Sequence, residues 1–154
     1  MEIGAVKPER KKITCFEDLF IWQKGVEFAK EIYLITERKG LKTDFGLKNQ
    51  MRDAVVSIPT NIAEGFERRS RKEYLYFLNV AKASSGEIRS LLYVANEVGY
   101  LDRTELNLLR EKAKFLSGSI SNHMSALDNG KNLAFSLLTF CTFKPAKFNT
   151  YLEN

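Results

Sequence analysis

An all-α bundle is the fold class this sequence predicts, and three observations predict it. Glycine and proline are sparse, at nine and three residues of 154. Apolar residues recur at three-and-four spacing in four long blocks, and helix start and stop signals fall between those blocks. At 44% hydrophobic the chain has apolar side chains enough for one packed core. The organisation expected is a bundle over residues 16–128, a basic N-terminal tail over 1–15 and a C-terminal extension over 129–154.

In the first block Leu19, Trp22, Val26, Ala29, Tyr33 and Thr36 make one stripe, and Ile21, Phe28, Ile32 and Ile35 make a second beside it. Such a helix has two faces to bury. The second block, about residues 45–68, contains Pro59, yet Leu47, Met51, Ala54 or Val55, Ile58, Ile62 and Phe66 hold one helical phase across it. One helix kinked at Pro59 fits that phase better than two unrelated helices. The proline leaves the Val55 carbonyl without its backbone donor, at about 3 kcal/mol in a regular helix interior. Ser57 or Thr60 bonding a nearby carbonyl, or a bend that brings Asn61 and Glu64 against a neighbouring helix, could offset that cost.

The third block is the most regular, with Tyr74, Phe77, Ala81, Ser84, Ile88, Leu91, Ala95 and Val98 in phase. Ser70 and Glu73 have capping-box spacing at its start. The fourth block opens on Asp102 and Glu105, and Leu106, Leu109, Ala113, Leu116, Ile120, His123 and Leu127 form its seam. Gly99 and Gly130 stand where C-terminal caps belong. The segment after it, rich in Phe and Thr from Leu133 to Leu152, reads as strand-like or irregular and is expected to dock on the bundle or on a neighbouring subunit.

The segments Leu19–Thr36, Gly46–Ile88 and Val98–Leu101 resemble the small bacterial four-helix proteins encoded in 23S rRNA intervening sequences, a family that includes the accessory variability determinant proteins of diversity-generating retroelements. The string Ser57-Ile58-Pro59-x-Asn61-Ile62-Ala63-Glu64-Gly65 is the most specific part of the likeness. The resemblance implies an antiparallel up-down four-helix bundle assembled as a ring-shaped homopentamer, with no catalytic activity. In the retroelement branch it implies a positively charged partner of a reverse transcriptase and its RNA. Two features depart from the pattern: the loop from Glu37 to Phe45 lacks a Phe-Pro followed by an acidic residue, and the chain continues past 129.

Charge bears on nucleic acid independently of that likeness. The net formal charge is +5 and the isoelectric point about 9.2. Residues 1–12 carry Lys7, Arg10, Lys11 and Lys12; the junction 67–73 carries Arg68, Arg69, Arg71 and Lys72; residues 131–154 carry three further lysines. Each of these segments nets +2 and the remainder of the chain nets −1. In a ring of five the junction repeats on one rim and becomes a band able to hold a phosphate backbone. Tyr74, Tyr76 and Phe77 are in a helix and at least two of them are needed for the core, so phosphate contact without a stacking platform is expected. The expected site is therefore Arg68, Arg69, Arg71 and Lys72 with Lys11 and Lys12, and Pro59, Asn61, Glu64 and Trp22 are the structural or interface candidates. For Asn61 and Glu64 two placements are open, a buried network that fixes register or subunit packing, and simple surface exposure.

No catalytic or metal constellation is legible. His123 is the sole histidine and its seam position points to a packed, hydrogen-bonded imidazole. Glu64 and Glu67 are a turn apart but lack the Glu-x-x-His repeats of a di-iron bundle, and there is no P-loop, dinucleotide fingerprint, nucleophile elbow or HExxH. No cofactor is expected. Cys15 and Cys141 are far apart with no metal or redox spacing, so a reducing cytoplasm is the expected compartment. The longest apolar run, Leu133–Phe143, is too short to span a bilayer.

Overall fold

Four helices carry the chain in a computed structural model that describes residues 13–129: α1 (Phe20–Thr36), α2 (Phe45–Phe66), α3 (Arg71–Glu97) and α4 (Arg103–Asp128). The described residues contain no strand. Contacts at the helix ends fix the topology. Arg52 near the start of α2 bonds Thr36 at the end of α1 at 2.9 Å, and Tyr74 at the start of α3 bonds His123 near the end of α4 at 2.9 Å. Arg38 just past α1 pairs with Glu105 at the start of α4. Each helix thus runs antiparallel to the next, α4 closes back on α1, and the α2–α3 face is the most extensively packed.

The buried residues follow the helical period. Ile21, Phe28, Ile32 and Ile35 of α1 meet Met51, Val55, Ile58 and Ile62 of α2, with Leu78, Ile88 and Leu92 of α3 and Leu106, Leu116 and Ile120 of α4. Burying each such side chain contributes about 1.5–3 kcal/mol relative to exposure. Of the two apolar stripes of α1, the core covers the Ile21–Ile35 stripe throughout and only the ends of the other, where Leu19 and Thr36 are buried. Val26 and Tyr33 of the other stripe stay 42% exposed, and Trp22 and Ala29 are half-buried. In α3 the seam is rotated slightly from the sequence expectation. Leu78, Ser85 and Leu92 are buried, Phe77 and Leu91 are half-buried, and Val98 is exposed, because the face of α3 must serve both α2 and α4.

The helix ends are built by identifiable caps. Asp102 and Glu105 form a complete capping box on α4. At α3 the box is half made: the Ser70 hydroxyl accepts from the Glu73 amide at 3.2 Å, but the Glu73 carboxylate takes a hydrogen bond from that hydroxyl, at 2.6 Å, in place of the expected Ser70 amide. Gly99 has φ of +83°, and the amides of Gly99 and Tyr100 bond the carbonyls of Asn96 and Ala95, a Schellman ending that requires glycine's left-handed freedom. Gly130, the other expected cap, lies outside the described residues; Asn129 caps α4. The atypical first connection is well anchored. Leu41 is buried, Asp44 caps α2 by accepting from the Leu47 amide at 3.0 Å, and Tyr100 donates to Asp44 at 3.3 Å.

Helix α2 runs unbroken through Pro59, as the continuous apolar phase required. The proline is buried against Gly25 of α1, where a Cβ would sit 3.4 Å from the Pro59 ring. Polar side chains bond the two carbonyls that follow that of Val55, the one left without its donor by Pro59. Thr60 donates to the Val56 carbonyl at 2.9 Å, and the Asn61 amide donates to the Ser57 carbonyl at 2.7 Å and the Ser57 hydroxyl at 2.9 Å. The Ser57 hydroxyl in turn meets that of Ser84 on α3 at 2.9 Å, so the polar group ties α2 to its most closely packed neighbour.

Candidate nucleic-acid interface

The connection from α2 to α3 is short because α2 ends at Phe66 and Ser70 already caps α3. Its tightness rests on Gly65. A Cβ at that position would lie 2.8 Å from the Phe77 Cβ and 2.9 Å from the Tyr74 ring, so only glycine lets α3 turn this closely over the end of α2. Behind it, Tyr74 and His123 form a buried pair. Burial pushes the Tyr74 phenol up and the His123 imidazole down to about 4. His123 is therefore a packed, hydrogen-bonded ring, in line with its seam spacing.

The four basic residues of the junction are all exposed and divide into two kinds. Arg68 pairs with Glu64 one turn earlier and lays its guanidinium 4.8 Å from the centroid of the Phe77 ring. Arg71 reaches Asp128 at the end of α4 at 3.2 Å. Arg69 and Lys72 meet no carboxylate among the described residues. Solvent-exposed pairs of the first kind are worth about 0–1 kcal/mol, so an incoming phosphate can take either arginine from its carboxylate at small cost. Lys11 and Lys12 lie outside the described residues.

Beside these cations Tyr76 is 63% exposed. The sequence expectation that at least two of these three aromatic residues are needed for the core is met by Tyr74, which is buried, and by half-buried Phe77, and Tyr76 is the one left over. Two residues on from a buried position is the far side of a helix, and that spacing was the available signal. Tyr76 meets Phe77 edge-to-face at 5.3 Å between centroids. Together with Arg71, Lys72, Leu75, Asn79 and Asp128 it lines an open depression between the start of α3 and the end of α4.

The remaining candidates are placed as follows. Pro59 packs on Gly25, and Asn61 belongs to the Ser57–Ser84 cluster. Glu64 does not join that cluster; it faces solvent and its partner is Arg68. Trp22 is half-buried and packs edge-to-face on Phe16 at 5.3 Å. Gly25 and Gly65 escaped the sequence reading as packing determinants, although a glycine in a helix interior costs about 1 kcal/mol against alanine and so marks a place where space matters. Ser84 was placed on the α3 seam by its spacing, but its bond to Ser57 was not foreseen. No group of three or more potential metal ligands occurs among the described residues, and no helix there is long and apolar enough to cross a membrane.

A family model described as 23S rRNA-intervening sequence protein matches residues 17–122. A solved structure of a protein of unknown function from the S23 ribosomal protein family of Bacteroides thetaiotaomicron is similar with a TM-score of 0.62 and 20% identity, over 68% of this chain and 97% of that one. At that identity the likeness concerns the fold alone. No curated protein matches the chain.

Proposed function

Since the chain belongs to the 23S rRNA-intervening sequence protein family, we propose that it is a non-catalytic, oligomeric adaptor that binds RNA or DNA through the phosphate backbone. The observation that carries this reading is the junction itself: four exposed basic side chains within five residues, two of them free of carboxylates among the described residues. The proposed assembly is a ring-shaped homopentamer of protomers with α2 bent at Pro59, acting in the cytoplasm, with a reverse transcriptase as protein partner. Side chains left exposed in the single chain support self-association, among them Val26, Tyr33 and Leu34 on α1 and Phe115 on α4. A ring repeats the 68–72 cluster once per subunit on one rim and so multiplies a modest local charge.

Binding of this kind is electrostatic and salt-dependent. Neutralising about eight phosphates gives a log–log salt slope near −7 on duplex DNA and a shallower one on single strands. The test is a filter-binding titration against nonspecific RNA at two salt concentrations, with light scattering for stoichiometry. The adaptor reading requires binding that weakens with salt and weakens again when Arg68, Arg69 and Arg71 are replaced by glutamate. Salt-independent capture, or no loss in that triple variant, would leave a protein-only scaffold whose basic residues serve solubility.

A further inference from the structure

We propose that the depression at the start of α3 selects single-stranded polynucleotide, with Tyr76 as a platform on which an unpaired base stacks. The inference rests on the phosphate-binding reading above and adds a ligand class to it. On α3, Lys72, Tyr76 and Asn79 follow one another at i, i+4 and i+7 and so share one face of the helix. All three are exposed, and that face lines the depression together with Arg71, Leu75 and Asp128. Along it a cation, an aromatic ring and a carboxamide succeed one another, which matches a phosphate, a base face and a base edge along one strand.

The Tyr76 ring is held from one side. Phe77 presents its ring at 80° to it, and Phe77 itself is fixed between Gly65 and the Arg68 guanidinium. A platform already positioned in this way loses little freedom when a base stacks on it. A duplex cannot use it, because paired bases keep their faces covered by their neighbours and offer only edges and backbone. Asp128 is the one carboxylate lining the depression among the described residues. It holds Arg71 at 3.2 Å while no strand is bound and repels phosphate.

The experiment is fluorescence anisotropy on the full chain at low salt, using a labelled single-stranded RNA of about 16 nucleotides, the DNA of the same sequence, and the corresponding duplex. Stacking contributions predict that Tyr76→Ala weakens single-strand binding by about 5- to 150-fold, with less than about 2-fold loss on the duplex, while Tyr76→Trp retains single-strand affinity. Asp128→Asn strengthens binding to both. The thermal melt of Tyr76→Ala stays at the wild-type value, as an exposed side chain requires. Equal single-strand affinity in Tyr76→Ala, with Lys72→Glu still weakening both ligands, would overturn the stacking platform and leave the electrostatic adaptor standing. Failure of the wild-type protein to bind any of the three ligands would overturn both. Comparison of the RNA and DNA single strands shows whether the 2′-hydroxyl is read in addition.

Discussion

Within residues 57–65 Ser57 meets Ser84 of α3, Pro59 packs on Gly25 of α1 and Gly65 lies under Tyr74 and Phe77, while Asn61 braces Ser57 within α2 and Thr60 and Glu64 are exposed. Residues 67–72, which follow directly, are exposed throughout and bind the rest of the fold through little more than a serine cap and two surface ion pairs. The stretch that is easiest to recognise is thus a packing code, and the stretch that is compositionally plain carries the free charge. A close helix–helix approach tolerates few residue types at each position and so produces a distinctive string. A phosphate surface tolerates any cation in roughly the right place and so does not.

The largest expected effect tests the packed side of this contrast through the pair behind Gly65. His123 normally titrates near 6.5, and burial lowers it to about 4 in the fold. Between those values the unfolded chain takes up a proton that the native protein refuses. Stability is therefore complete above the unfolded value, falls as pH drops through the window, and has lost about 3 kcal/mol at its lower end. Urea melts between pH 6.5 and 5 isolate this slope from the carboxylates, among which Glu37 is held down to about 2, chiefly by its hydrogen bond from Lys48. His123→Gln, which can still bond Tyr74, should flatten the slope, and a slope that survives would place the titration elsewhere.

Next in size is a pair of glycine substitutions that the sequence would rank alike. Gly65→Ala drives a Cβ into Phe77 and Tyr74, at about 1–3 kcal/mol for overpacking, offset by about 1 kcal/mol of helix propensity, so a net loss is expected. Gly25→Ala meets the Pro59 ring at ordinary contact distance, 3.4 Å, and should be neutral or stabilising by up to about 1 kcal/mol. Denaturant midpoints for the two variants measure the difference directly. A larger loss at Gly25 than at Gly65 would reverse the reading of which crossing is the tighter.

The smallest effects belong to the exposed side. Glu64→Ala removes only an exposed pair with Arg68 and should change stability by less than about 0.5 kcal/mol. Its oligomeric mass by light scattering should match that of the wild type. A shift toward monomer would instead put Glu64 between subunits, moving the boundary between packing code and open surface one turn earlier in α2.

Much of the fold was legible in the sequence because its signals are local. The uninterrupted phase from Met51 to Ile62 gave α2 as one helix despite Pro59, and Asp102 with Glu105 and Gly99 gave a start and a stop where the structure has them. The basic junction was legible for the same reason, since charge near helix ends is rarely buried. Tyr76 was not singled out because Tyr74, Tyr76 and Phe77 crowd four positions of one helix, and only the helical angle separates buried Tyr74 from exposed Tyr76. The two glycines, and the bond from Ser84 to Ser57, were passed over because these contacts span about 34, 12 and 27 residues of chain, beyond the reach of any periodicity.

By itself the sequence determined where the four helices lie, how most of them are phased and where the positive charge collects, since hydrogen-bonded turns, caps and side-chain angle all depend on residues within a few positions. Only the tertiary structure decided which stripe of α1 is covered, which glycines stand at a crossing, and which aromatic faces outward beside Lys72. Periodicity gives a side chain its direction around a helix, but burial belongs to a pair of surfaces, and the second surface comes from elsewhere in the chain.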